Sequence, residues 1–299
     1  MYKIVVLMST YNGEKYLEEQ IESIINQTTE VKIIVRDDGS KDKTQKILDK
    51  YKKRGYLEWY QGENIGFMRS FLTLIKKAPV AEYYALADQD DYWEKNKLEK
   101  AIKILEKEKT ACLYCSNLIL VDENLNKIPY NYNNEKISIS FESILWRNIS
   151  AGCTMVFNNN LRKYIDMYEP KNIKYHDWWI CLLAISLGKV IYDKNSYIKY
   201  RQHSSNVIGC KNNIKRNYSW LKSKFKNDIN WNFGRPYQQE LLIGYKDKLE
   251  QNKVKLLTDM LTFDHNYEAR YRIIFNKNFV VNDLKGTIYR KLLVFLGKN

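Results

Sequence analysis

The feature that most constrains this chain is an alternation that occurs four times within its first 105 or so residues: an apolar run, a short polar loop, then a stretch with helical hydrophobic spacing. Residues 3–8 (KIVVLM) lead into Ser9-Thr10-Tyr11-Asn12-Gly13, after which Leu17, Ile21, Ile24 and Ile25 share one helix face. Residues 31–35 lead into Arg36-Asp37-Asp38-Gly39-Ser40 and a helix over about 42–53. Residues 57–61 precede Glu63-Asn64-Ile65-Gly66 and a helix carrying Phe71, Leu74, Ile75 and Ala78. Residues 83–87 precede Asp88-Gln89-Asp90-Asp91 and a helix lined by Leu98, Ala101, Ile102 and Leu105. Continuous apolar strands belong to sheets covered on both faces. Strands alternating with helices predict an α/β fold, a mostly parallel Rossmann-like sheet with right-handed crossovers and helices on both faces. Loops that follow the C-terminal ends of such strands share one edge. Thr10, Asn12, Asp37, Asp38, Asn64, Gly66, Asp88, Asp90 and Asp91 are therefore expected to line one crevice.

The fourth loop has the most distinctive chemistry. Three carboxylates in four positions repel one another and call for a positive partner. All-oxygen ligands at a strand end suit Mg²⁺ or Mn²⁺, which take one or two carboxylates together with substrate phosphate oxygens. The competing reading is an acidic turn whose Asp91, or the nearby Asn96, caps the next helix. No G-x-G-x-x-G follows the first strand and no G-x-x-x-x-G-K-[ST] occurs anywhere, so a dinucleotide fingerprint and a P-loop are both excluded.

Composition narrows the class. With 44% hydrophobic and 14% aromatic residues among 299, a packed core is feasible. The net charge of +14 is uneven: from residue 211 onward 18 Lys and Arg stand against 8 Asp and Glu, a net of +10, whereas residues 1–210 hold 31 against 27, a net of +4. A nucleic-acid-binding protein would also be basic, yet the acidic crevice repels phosphate without a metal and no recognised binding module appears. Five cysteines (Cys112, Cys115, Cys153, Cys181, Cys210) make no disulfide framework, and no signal peptide precedes them, so a reducing cytoplasm is expected. The Cys112/Cys115 pair lies in a strand-like run and reads as buried thiol. The longest apolar stretch, residues 178–187, falls short of the ~20 residues needed to span a bilayer.

Further along, residues 118–121 and a turn-rich 122–126 predict an antiparallel excursion, residues 130–134 a surface loop, and 141–147 a short helix. Residues 150–157 read as a strand; the small Ser150, Ala151 and Gly152 permit close approach of either a substrate or another backbone. His176-Asp177-Trp178-Trp179 opens an apolar helix that ends near Gly188. Asp177 suits two roles, helix N-cap and general base beside an apolar wall. Residues 197–201 form a last strand and deliver Gln202-His203-Ser204-Ser205-Asn206. Beyond 211 the chain is Lys/Asn-rich and mainly helical, with one or two helices over 238–261. Near the C-terminus, Ile288, Leu292, Phe295 and Leu296 share a helical face flanked by cations. That face suits an anionic membrane, its own domain or a second subunit.

The ordered set Ser9-Thr10-Tyr11-Asn12, Asp37-Asp38-Gly39-Ser40, Asn64-Ile65-Gly66 and Asp88-Gln89-Asp90-Asp91-Tyr92-Trp93 resembles family 2 glycosyltransferases of the GT-A fold. With Gly152-Cys153-Thr154, His176-Asp177-Trp178-Trp179 and Arg201-Gln202-His203-Ser204-Ser205-Asn206, it is similar to bacterial rhamnosyltransferase-like members that build surface polysaccharides. The resemblance covers roughly residues 1–210, giving a catalytic domain there and a basic, mainly helical region over 211–299. It implies an inverting transfer from a dTDP- or UDP-linked sugar to a lipid-linked or oligosaccharide acceptor, with Mn²⁺ or Mg²⁺ as cofactor. A UDP-hexose or UDP-N-acetylhexosamine transferase of the same fold is the alternative it leaves. Thr10, Tyr11, Asn12, Asp38, Asn64, Gly66 and Asp88 would bind donor, Asp38 taking the N3–H of the base. Asp90 and His203 would meet the metal, and Asp177 would deprotonate the acceptor hydroxyl. Asp91, Gly152, Trp178 and Trp179 would line the acceptor side. The family's phosphate-contacting Arg has no counterpart in register, Arg69 lying only nearby. The expected location is the cytoplasmic face of a membrane, with peripheral contact or homo-oligomerisation through the C-terminal region.

Overall fold

A computed structural model describes residues 1–131, 137–203, 234–280 and 284–297. The chain divides into two compact units: Met1–Asn134, Asn148–Glu169 and Lys174–Gln202 form the first, and Glu135–Arg147, Pro170–Ile173 and His203–Asn299 the second.

In the first unit the four strand–loop–helix repeats form as expected: β1 Tyr2–Thr10, α1 Leu17–Ile25, β2 Lys32–Asp37, α2 Thr44–Lys53, β3 Leu57–Gln61, α3 Gly66–Lys77, β4 Ala81–Ala87 and, after the short β5 Tyr92–Trp93, α4 Lys97–Leu105. The strands align in the order β3-β2-β1-β4, all parallel. Ile4, Val6 and Met8 of β1 pack with Ile21 and Ile24 of α1 and Leu98 and Ala101 of α4 in one buried cluster. Beyond β4 the sheet continues through β8 Val156–Asn158, β6 Cys112–Val121, β9 Lys189–Arg201 and β5, with β7 Lys127–Asn131 paired to β6. Here β4–β8, β6–β8, β6–β7 and β5–β9 are antiparallel and only β6–β9 is parallel. The sheet is thus parallel in its first half and mixed in its second, because β8 enters between β4 and β6 in the opposite sense.

Three local expectations change. Residues 150–157 are not one strand: Gly152–Thr154 is a single 3-10 turn, and only Val156–Asn158 pairs. The last strand starts eight residues earlier than expected, at Lys189; its half-exposed polar residues hid the periodicity. Gly188, between α7 His176–Leu187 and β9, sits against the backbone of Ala111, whose carbonyl accepts the Lys189 N–H at 2.9 Å. Any side chain there would collide with that carbonyl. The first unit also contains α6 Asn159–Met167, capped by Asn158, which accepts the Leu161 N–H at 3.0 Å. Cys112, Cys115, Cys153 and Cys181 are buried free thiols; Cys210 and Ser204-Ser205-Asn206 lie outside the described residues.

The second unit holds α5 Phe141–Ile144, α8 Arg235–Tyr245, α9 Gln251–Thr262, α10 Tyr267–Phe275 and α11 Leu284–Leu296, so residues 238–261 make two helices rather than one. Met260, Phe263, Ala269, Ile273, Phe279 and Val294 form its core. Trp146 meets Phe279 edge-on at 5.3 Å, and Arg290 lies 5.2 Å from the Trp146 ring. α11 is turned so that Thr287 and Val294 are buried while Ile288, Leu292, Phe295 and Leu296 are 49% to 64% exposed. Tyr267, Tyr271 and Phe275 make an exposed row on α10. α10 and α11 thus each leave a row of large apolar side chains exposed.

Candidate active site

The loops after β1, β2 and β3 are tied together by side chains from the first two. Asp37 is fully buried and accepts from Thr10 Oγ1 (3.1 Å), Ser40 N (3.0 Å) and Gln45 Nε2 (2.9 Å). Asn12 takes a left-handed φ of 48°, which asparagine tolerates. Its N–H donates to Ser40 Oγ at 2.9 Å, and its side chain accepts the Lys41 N–H at 2.9 Å. Asp38 reaches the start of α3: its carboxylate accepts the N–H groups of Ile65 (3.2 Å) and Gly66 (3.0 Å) and pairs with Arg36. Arg36, almost wholly buried, also donates to Ser70 Oγ at 3.0 Å and Glu63 O at 2.9 Å. Thr10, Asp38 and Gly66 therefore meet as expected, but the Asp38 carboxylate is occupied within the protein. Asn64 and Tyr11 are exposed at this edge, and Asn64 Oδ1 accepts the Gly66 N–H at 3.2 Å.

A latch joins this group to the acidic turn. Gln89 accepts the Tyr11 N–H at 2.8 Å and donates to Tyr11 O at 3.1 Å. Gly13 leaves room for that amide, since a Cβ there would collide with it. Sequence reasoning passed over Arg36 and Gln89; the only available signal was a charged residue inside an apolar run and an amide between two carboxylates.

Asp88 and Asp90 are part-exposed, whereas Asp91 turns inward and is fully buried. Burial, then the negative charges of Asp90 and Asp177, push the Asp88 carboxyl up to about 7. Burial and the same-sign neighbours Asp90 and Asp88 raise Asp91 well above the carboxylate range. Asp91 Oδ1 accepts the Arg201 N–H at 3.2 Å, and Arg201 Nε donates to Asp90 O at 2.8 Å. As placed, Asp91 holds the end of β9 rather than facing a ligand, and it does not cap α4.

Asp177 lies in the first turn of α7, two residues inside the cap position, which Tyr175 occupies. Burial raises its carboxyl to about 6; donors from Trp178 N–H, Asn148 and Gly152 N–H oppose that rise. The Trp178 N–H contact is 2.7 Å. His176 stacks on Phe71 at 4.2 Å, and burial lowers it to about 3, so it is neutral. Gly152 is required for this approach, because a Cβ there would lie 2.7 Å from His176 Nε2. Trp178 and Trp179 are core residues rather than a platform, since α7 is apolar on every side and is buried all round. His203 is half-buried at the start of the second unit's main segment.

The acidic turn suits a divalent cation. Two part-exposed carboxylates two residues apart, one raised to about 7 by burial and then by its neighbours' negative charge, offer hard oxygen donors. Asp88, Asp91 and Cys153 also bring one ligand atom each within 4.8 Å, but a thiol is a poor donor for Mg²⁺. The site thus combines a cation-demanding turn with a buried carboxylate close enough to act electrostatically on it.

The profile of the family described as "Glycosyl transferase family 2" matches residues 5–166, more than half the chain. A dTDP-rhamnosyl transferase, RfbG of Shigella flexneri, is 30% identical over 241 residues, 72% of this chain and 78% of that protein. An uncharacterized glycosyltransferase of Rickettsia typhi is 30% identical over 231 residues, 74% and 71% of the two chains. Among solved structures, that of S. aureus TarS 1-349 in complex with UDP-GlcNAc covers 98% of this chain and 81% of its own, with a TM-score of 0.61 at 18% identity. That likeness bears on the fold, which is of the GT-A type with a helical C-terminal region.

Proposed function

Because this chain belongs to glycosyl transferase family 2, we propose that it is an inverting, metal-dependent enzyme that moves rhamnose from a dTDP- or UDP-linked donor to a hydroxyl of a growing, lipid-linked bacterial surface glycan. The glycosyltransferase class follows from the family; the sugar, acceptor, metal dependence and stereochemistry are our reading. The observation that carries it is Asp177, a buried carboxyl held at about 6 whose charge is felt by Asp88 in the acidic turn. A base near that value is ionised at neutral pH yet basic enough to take a proton from an attacking hydroxyl. Asp90 and Asp88 would hold Mn²⁺ or Mg²⁺; the ion would supply positive charge for the leaving diphosphate. Thr10, Tyr11, Asn12 and Asn64 would edge the nucleobase and ribose, and Asp38, through Arg36 and the start of α3, would shape that pocket. Gly152 would open the acceptor side.

Rhamnose as the sugar is supported by RfbG, named a dTDP-rhamnosyl transferase. A second reading, transfer of N-acetylglucosamine from a UDP donor, is supported by TarS, named a poly(ribitol-phosphate) beta-N-acetylglucosaminyltransferase and 26% identical over 178 residues. The outward apolar row of α11, flanked by Arg290 and Lys291, supports peripheral contact with an anionic membrane at the cytoplasmic side. Residues 211–299 would serve that contact, residues 1–210 the chemistry. The test is thermal shift with dTDP, UDP and their sugars, with and without Mn²⁺, because ligand that binds only the native state raises its melting temperature. A metal-dependent shift with dTDP-rhamnose, followed by transfer, is expected. A shift with UDP-N-acetylglucosamine alone selects the second reading, and no shift with any nucleotide rejects both.

A further inference from the structure

The acidic turn holds one side chain that the transfer chemistry leaves unused, the neutral one among its carboxylates. Gln89, between Asp88 and Asp90, sends its amide to a loop 78 residues away in sequence. Its Oε1 accepts the Tyr11 N–H at 2.8 Å, and its Nε2 donates to Tyr11 O at 3.1 Å. A primary amide paired in this way reproduces the edge of a peptide group, so the turn closes a two-bond bridge to the main chain of the first loop. Reversing the amide would set donor against donor and acceptor against acceptor, which fixes its orientation.

The first loop is shaped to receive that amide. A Cβ at residue 13 would collide with Gln89 Oε1 and Cδ. The φ of Gly13 is not positive, so it is the space, and not the backbone conformation, that calls for glycine. On its other side the loop is fixed to the second: the Asn12 N–H donates to Ser40 Oγ at 2.9 Å and the Gly13 N–H to Thr44 Oγ1 at 2.8 Å. Between these anchors Tyr11 presents a ring that is 44% exposed. Immobilising a part-exposed glutamine costs side-chain entropy comparable to what two water-exposed hydrogen bonds return. The bridge therefore adds little to the stability of the fold, and its effect is to align the Tyr11 loop with the carboxylates on either side of Gln89.

We propose that Gln89 is a positioning residue that makes the two ends of the sugar donor bind cooperatively. Tyr11 edges the nucleobase, Asp88 and Asp90 hold the ion that meets the diphosphate, and Gln89 ties the two so that ordering either one orders the other. A base that settles the first loop removes part of the ordering cost of the acidic turn, and by reciprocity the ion does the same for the base. The proposal rests on the donor-site reading given under Proposed function and adds the side chain through which its two halves communicate.

The experiment uses thymidine and uridine, which carry the base and no phosphate, so that any effect on metal binding passes through the protein and not through a metal–phosphate bond. The full chain is titrated with Mn²⁺, followed by the electron paramagnetic resonance of the free ion, without and with saturating nucleoside. The parent, Gln89→Ala, Gly13→Ala and Gly13→Ala/Gln89→Ala are compared, and the melting temperature of each is recorded. In the parent one nucleoside should tighten Mn²⁺ binding at least about fivefold, the lower end of ordinary coupling between sites. Gln89→Ala should bring that factor to within about twofold of one, with a melting temperature shifted no more than by a surface substitution. Gly13→Ala leaves the acidic turn intact and displaces the amide from the opposite side, so it should also uncouple the ligands. The double variant should lose nothing further, since both changes break one bridge. A bridge that only braces the fold would lower the melting temperature and leave the coupling factor as in the parent. That result, an unfolded Gln89→Ala, or a parent that binds both ligands independently overturns the proposal alone. A parent that fails to bind either nucleoside, or fails to bind Mn²⁺, overturns the donor-site reading and the proposal together.

Discussion

Burial holds the Asp177 carboxyl at about 6, so the ionised form needed by a base is half lost there. The ascending limb of kcat/KM against pH is accordingly expected near 6, and Asp177→Asn should abolish that limb while lowering turnover by about 10²-fold or more. Near-normal turnover in the variant would remove Asp177 from the role. The same burial has a stability consequence with a definite sign. The folded-state value lies above the ordinary 3.8, so the native chain binds the extra proton. The penalty is absent below about 4 and complete above about 6, where it reaches about 3 kcal/mol at most. Asp177→Asn removes it, and the melting-temperature gain over the parent should grow between those pH values and then level. A variant more stable and nearly inactive marks a residue kept for chemistry. This was legible in part: a carboxylate at the head of an apolar helix suggested both cap and base, and the fold places the cap position at Tyr175, so the base is the role proposed for it.

Among elements, the junction of β2 and α3 depends on a buried ion pair. Arg36 and Asp38 are both nearly inaccessible and satisfy the carbonyl of Glu63 and the N–H groups of Ile65 and Gly66. Removing one partner strands a buried charge, so Arg36→Met should cost about 3–5 kcal/mol in urea unfolding. The Arg36→Met/Asp38→Asn double variant should lose less than the sum of the single changes. A loss below about 0.5 kcal/mol, the range of ordinary surface changes, would show that the pair is not structural. At the α7–β9 junction, Gly188→Ala forces a methyl into the Ala111 carbonyl and should destabilise by about 1–3 kcal/mol. The four βα units were legible because their periods are clean, three residues or so for the helices and continuous apolar runs for the strands. The mixed half was not: β9 alternates partly exposed polar residues without a clear period, and nothing local reveals that β8 enters between β4 and β6.

On the scale of the molecule, charge and apolar exposure coincide in the second unit. Ile288, Leu292, Phe295 and Leu296 project from α11 beside Arg290 and Lys291, and each nearby cation contributes about 1 kcal/mol at an anionic surface. Leu292→Gln/Phe295→Gln should weaken binding to phosphatidylglycerol vesicles at least tenfold without altering the donor-induced thermal shift, and added salt should weaken the parent in the same assay. Undiminished vesicle binding, or a parent dimer that dissociates in the variant, would assign the face to a second copy instead. No helix among the described residues is long and apolar enough to cross a membrane.

The sequence by itself determined the class of fold, the loops that carry polar chemistry and the family, because short-range periodicity and ordered motifs are properties of contiguous residues. Which carboxylates face outward was decided only in three dimensions. Asp88, Asp90 and Asp91 are indistinguishable as letters, yet Arg201 and Cys153, brought in from β9 and the turn at Gly152–Thr154, draw Asp91 inward. Lys97 reads as one more surface cation until α4 buries it against the Trp93 ring. The physical reason is that burial sets charge and basicity, and burial depends on chain segments far apart in sequence.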